Sequence, residues 1–184
     1  MAEWQRIGLV RHFEVSLGFP RGWVTARELH EWREAYEVAD IHHRPVSLGD
    51  HGWTRCYCSD ARRAHETALA ILPGPITPVE ILREVTVQEY PTGSLRMPLT
   101  GWRLLTRLAW ALNHPSQREA KQLLQANVQA VVREHLESPT EPILLVSHGG
   151  IMWFLRRELI RLGYRGPKFS LAENGRLYVF ERRV

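Results

Sequence analysis

Three short strand-like runs, each ending in charged or hydrogen-bonding residues, constrain this 184-residue chain more than any other feature. Ile7 to Val10 runs into Arg11-His12, Arg55 to Ser59 into Asp60 through Arg63, and Ile143 to Val146 into Ser147-His148. A short apolar run bounded by breakers is the pattern of a strand covered on both faces, as in a parallel sheet. Helical patterns lie between the runs. Thr25-Ala26-Arg27-Glu28 has capping-box spacing and predicts a helix from about Ala26 to Ala39, with Leu29, Trp32, Tyr36 and Ala39 on one face. Further helices are predicted from Asp60 to about Leu72, Trp102 to Leu112, Arg118 to Leu136 behind a Ser116–Glu119 capping box, and Gly149 to about Leu162. An edge strand is expected at Ile76-Thr77 and a terminal strand at Leu177 to Glu181. Strands alternating with helices imply a three-layer α/β/α domain with a mostly parallel central sheet.

Composition sets the scale. With 44% hydrophobic and 24% charged residues the chain reads as one ordinary globular domain over 1–184, without repeats or a separating linker. A chain of this length buries roughly 70% of its unfolded surface, so it needs no disulfide or metal to fold. Cys56 and Cys58 fall on one side of a strand and read as buried structural thiols, which fits a reducing, cytoplasmic setting. His42-His43 adds no convincing second pair of metal ligands, so neither a metal nor another cofactor is expected. The apolar stretch from Ile143 to Leu155 is interrupted by Ser147 to Gly150 and is too short for the ~20 residues of a membrane span, so no membrane partner is expected. The net charge is +4; two of the 24 basic residues are lysines, Lys121 and Lys168, which leaves 22 arginines. Arginine presents a planar fork to phosphate or carboxylate, so an anionic partner fits.

Ligands of open α/β sheets bind beyond the carboxyl ends of the strands. The three polar strand ends would meet at one rim: two histidines, two arginines and two helix N-termini, a set suited to an anion. Leu9-Val10-Arg11-His12, Ser59-Asp60-Ala61-Arg62-Arg63-Ala64-His65-Glu66-Thr67-Ala68 and the Ser147-His148-Gly149 strand end, in this order, resemble the histidine phosphatase (phosphoglycerate mutase-like) superfamily, in its short phosphatase-type branch. The resemblance implies that His12 is a nucleophile forming a phosphohistidine. It implies that Arg11 and Arg63 bind the phosphoryl oxygens, and that His148 both takes part in catalysis and bonds the transferring group. The family arginine stands four residues after the serine and directly before alanine, which selects Arg63; Arg62 is expected to pair outward with Glu66, and Ser59 to cap the helix.

The family's general acid is a glutamate two residues after a leucine, past the second motif; Leu82-Arg83-Glu84 selects Glu84, with Glu80 and Glu89 as alternatives. The chain also departs from the pattern. Phe13, Val15 and Gly18 stand where Gly, Thr and Asn are usual, and the family's Gly-x-Trp-Glu-Gly stretch has no counterpart at Val87 to Gly93. The resemblance implies a metal-independent phosphomonoester hydrolase acting on a small phosphorylated metabolite, with Glu14 to Trp23 and Glu84 to Met97 covering the site. A phospholigand-binding or interaction module with little turnover is the alternative, motivated by those departures. A nucleic-acid binder using Arg156, Arg157, Arg161, Arg165 and Lys168 is weaker, because such a run reads first as a solvated helix face. Substrate identity and oligomeric state are not encoded in these patterns.

Overall fold

The computed structural model describes residues 4–85, 92–137 and 139–183. In chain order the elements are β1 (Trp4–Arg11), β2 (Trp23–Val24), α1 (Ala26–Val38), β3 (Arg55–Ser59), α2 (Arg62–Ile71), β4 (Ile76–Val79), β5 (Met97–Pro98), α3 (Leu99–Ala111), α4 (Pro115–Val131), β6 (Ile143–Ser147), α5 (Gly149–Arg161) and β7 (Leu177–Arg183). A 3-10 turn at Glu80–Leu82 follows β4, and a π turn at Val132–Leu136 ends α4.

Five strands form one sheet in the order β4-β3-β6-β1-β7. The first four run parallel, and β7 returns antiparallel to β1. Because successive side chains point to opposite faces, each central strand serves two cores. Ile7, Leu9, Ile143 and Leu145 pack with Leu124, Val128, Ile151 and Leu155 from α4 and α5. Val10, Leu144, Val146, Cys56 and Cys58 pack with Ala64 and Ala68 of α2. Helices therefore cover both faces, as the sequence pattern implies. The thiols are free and buried, and burial pushes Cys56 up to about 12 and Cys58 to about 11. Leu145 is fully buried in the β6 core. Leu145→Ala should cost about 2–5 kcal/mol, read as a lower urea midpoint at unchanged slope; a loss below about 1 kcal/mol would contradict this packing.

Element starts differ from the sequence reading in instructive places. The Thr25–Glu28 capping box forms, with both reciprocal bonds in place. The Ser116–Glu119 box does not. Pro115 takes the first helical turn, where its absent N–H costs nothing, so α4 starts earlier and His114 becomes its cap, accepting from the Ser116 amide at 3.3 Å. Similarly, α3 begins at Leu99 rather than Trp102, immediately after the β2–β5 ribbon that joins Trp23 to Pro98. The start of α2 is Arg62, two residues after Asp60, with Ala61 at the cap position and no side-chain cap.

Candidate active site

The carboxyl ends of β3, β6 and β1 are neighbours in the sheet, and their polar residues open into one cavity of about 1210 Å³. Arg11, His12, Arg63, Glu84 and His148 all line it. The floor is built by strand geometry: Arg11 pairs with Ser147 across β1 and β6, and the His12 amide donates to the Ser147 carbonyl at 2.9 Å. The two histidine rings that follow these positions lie 5.0 Å apart, tilted by 57°.

His12 is buried, and its Nδ1 lies 2.6 Å from the Phe13 carbonyl oxygen. A carbonyl only accepts, so Nδ1 carries the proton and Nε2 keeps a lone pair. Burial, offset in part by that bond and reinforced by the Arg63 and Arg11 charges, lowers the His12 pKa to about 3. The imidazole is neutral across the physiological range. His148 is also held well below its ordinary value, by burial first and then by the charges of His12 and the arginines. Its Nε2 lies 2.9 Å from Ser59 Oγ, while Nδ1 is buried without a partner among the described residues. Ser59 also accepts from the Ala61 amide at 3.2 Å, so it steadies the start of α2 and orients His148 together.

The two arginines are fixed from behind. Arg11 donates to the Ala172 carbonyl at 2.8 Å, and its Nε is buried with no hydrogen-bond partner among the described residues. Arg63 is buried at the first turn of α2, with Nε likewise unpartnered. Its NH1 stands 2.9 Å from a Glu37 carboxylate oxygen, an ion pair without hydrogen-bond geometry. Buried N–H donors left open beside a cavity are what an anion would satisfy. Arg62, by contrast, turns away to Glu66 at 2.6 Å and Asp40 at 2.8 Å.

Glu84 follows the 3-10 turn and accepts from the Gly150 amide at 3.0 Å, at the open start of α5. Burial raises its pKa against the lowering pull of the Gly150 amide, Arg11, Arg63 and the Ile151 amide. Gly150 makes this approach feasible, since a Cβ there would collide with the Glu84 carboxylate. Glu80 is exposed and does not line the cavity. Glu89 and positions 86–91, part of the expected cover, lie outside the described residues.

Phe13 and Val15 form a buried cluster with Ile41 and do not line the cavity. Thr67 ties this region together, accepting from the Phe13 amide at 2.9 Å and donating to the Arg63 carbonyl at 2.6 Å. The sequence reading missed Asn174, which lines the cavity and donates from Nδ2 to the His12 carbonyl at 2.8 Å, and the Gly175 amide, which donates to the Arg11 carbonyl at the same distance. An Asn-Gly pair before a terminal strand reads only as a turn, so no local signal marks them. The described residues contain no group of three or more potential metal ligands, and no helix among them is long and apolar enough to cross a membrane.

The family model described as the histidine phosphatase superfamily (branch 1) matches residues 37–183, and the chain belongs to that superfamily. The match begins after β1, so the placement of Arg11 and His12 rests on the sheet geometry described above. Among solved structures, a mycobacterial structure described as hydrolase 2 is similar at 16% identity, covering 98% of this chain and 83% of its own, with a TM-score of 0.55. The alpha-ribazole phosphatase from Shigella flexneri is similar at 18% identity, covering 95% and 89%, with a TM-score of 0.54. A mycobacterial glucosyl-3-phosphoglycerate phosphatase is similar at 17%, covering 95% and 88%, with a TM-score of 0.50. At these identities the likeness speaks to the fold. No curated protein matches the chain.

Proposed function

We propose that this chain is a metal-independent phosphomonoester hydrolase that works as a single domain through a phosphohistidine on His12. Membership of the histidine phosphatase superfamily supports phosphatase activity in general, as do neighbours whose names carry the word phosphatase. The observation that carries the reading is the hydrogen bond that sets the His12 tautomer: Nδ1 is tied to the Phe13 carbonyl, leaving the Nε2 lone pair free in a cavity that Arg11 and Arg63 also line. The free, buried thiols support a reducing, cytoplasmic setting.

In the first step Nε2 attacks phosphorus, the P–N bond forms as the ester P–O bond breaks, and the Glu84 carboxyl gives its proton to the leaving oxygen. In the second step Glu84, now a carboxylate, takes a proton from water. The water oxygen then bonds to phosphorus, and the P–N bond breaks to regenerate His12 and release phosphate. Arg11 and Arg63 neutralise charge spread over the equatorial oxygens, and His148, a neutral imidazole, would donate a hydrogen bond to one of them. Nδ1–H bonded to Phe13 stabilises the cationic phosphoimidazole. Rapid quench with a labelled aryl phosphate, in chelator, should trap an acid-labile, base-stable phosphoryl group on His12; turnover that needs a metal and leaves no such adduct would overturn the mechanism.

Glu84 supplies a second test. Its raised pKa keeps the carboxyl protonated to higher pH than usual, so turnover of alkyl phosphates should fall as pH rises through that value. Glu84→Gln should lower alkyl phosphate hydrolysis by about 100-fold or more, while an aryl ester with a good leaving group suffers much less in the first step. Equal losses for both substrates, in burst as well as steady state, would remove Glu84 as the acid.

The second reading, a phospholigand-binding module, is favoured by Glu37, whose carboxylate pairs with Arg63 in a pocket that lacks the usual Asn at Gly18. Vanadate binding that is lost in Arg63→Ala, with no hydrolysis across a broad panel, would establish it.

A further inference from the structure

The same cavity carries more positive charge and more aromatic surface than a phosphate needs. Arg103 and Arg107, one helical turn apart on α3, both line it. Arg107 has no hydrogen bond or ion pair among the described residues. The described contact of Arg103 is a stack over the Phe19 ring at 4.9 Å; burial is what chiefly lowers the Arg11 pKa, and the Arg103 charge adds a lesser lowering. Like charges at this spacing repel, so the pair weakens the helix unless an anion lies between or above them.

Between Arg103 and the inner arginine runs a ladder of rings. Phe19 lies 5.4 Å from Trp32, and Trp32 lies 5.0 Å from Tyr36. Arg63 sits over Tyr36 at 5.3 Å, so a cation caps each end. All three rings line the cavity, and the Trp32 indole is pinned by its bond to the Gly18 carbonyl at 2.8 Å. Pinned aromatic faces offer stacking to a flat apolar body at little entropic cost.

We infer that the pocket selects phosphomonoesters with a second anionic group at the far end of a flat, apolar body, with Arg103 and Arg107 forming the distal anion subsite. This rests on the placement of the phosphate at Arg11 and Arg63. The phosphate would occupy the inner end, the ring system would lie along Phe19, Trp32 and Tyr36, and a carboxylate or second phosphate would reach α3. Arg103 and Arg107 are specificity residues and take no part in the chemistry.

Non-hydrolysable probes separate this from catalysis. Calorimetry would compare benzylphosphonate with para-carboxybenzylphosphonate and the carboxylated biphenyl homologue. Wild type should bind at least one carboxylated probe about tenfold more tightly than benzylphosphonate. The Arg103→Gln/Arg107→Gln variant should erase that ratio while holding benzylphosphonate within about twofold. Arg103→Glu should turn the preference toward a para-ammonium probe. Equal affinity in wild type for all probes, failure of the carboxylated probes to bind, or a ratio that survives the double substitution would each overturn the subsite. Should the carboxylated preference appear while benzyl phosphate is not hydrolysed, the subsite stands and the hydrolase reading falls. Hydrolysis through His12 without any preference gives the converse result.

Discussion

His12→Ala should abolish turnover of an aryl phosphate, a loss of about 10,000-fold or more against wild type. The neighbouring imidazole, His148, is poorly placed to substitute, because its Nε2 is already engaged with Ser59 and its ring stands 5.0 Å away, centre to centre. Since burial holds His12 neutral down to about 3, the wild-type enzyme should show no acid limb from its nucleophile anywhere between about pH 5 and 8. Measured with chelator present, activity that survives the substitution would place the chemistry elsewhere. Phosphate binding offers a control for folding: the alanine variant keeps Arg11 and Arg63, so vanadate should still bind.

Arg63→Ala should cut kcat/KM by about 100- to 1,000-fold, the scale of losing one charged donor to a developing oxyanion, and should weaken vanadate binding in parallel. Arg62→Ala is the matched comparison. Its partners are Glu66, Asp40 and the Val38 carbonyl, all at the surface, so its removal should change turnover by less than about twofold. Equal effects at both positions would mean that the helix, and not the guanidinium, is what matters. A loss seen only at Arg62 would reverse the assignment drawn from the spacing to Ala64.

What could be read from the sequence was whatever is encoded locally. Ile7 to Val10 of β1 and Ile143 to Val146 of β6 announce themselves because these runs are buried on both faces and apolar, and the Thr25–Glu28 box is complete within four residues. The start of α4 misled for the same reason. Ser116 to Glu119 has the right letters, yet Pro115 is a better first-turn residue and shifts the cap to His114. The antiparallel return of β7 beside β1 depends on which edge is left free once β6 has taken the other side, and no window of sequence contains that information. The candidate site divides the same way. Arg11, His12, Arg63 and His148 sit in contiguous motifs at strand ends, and the structure gathers them with Glu84. Asn174, Gly175 and Ala172 act largely by holding backbone and side chains of β1 from across the sheet, a role that many residue types could fill and that leaves no pattern. Phe13, conspicuous as a departure, is explained only by three dimensions: it fills the core beside Val15 and Ile41, behind the catalytic rim.

The ion pair between Arg63 and Glu37 has a consequence for how anions come and go. Glu37 is half exposed at the end of α1, so its carboxylate can swing into water while Arg63 stays in place. An arriving phosphate would therefore exchange with a tethered counter-ion instead of adding to a bare cation. Part of its attraction is spent on the exchange. On the proposed hydrolase reading, the reverse swap would help expel inorganic phosphate, so that a basic pocket could shed its product without becoming trapped by it.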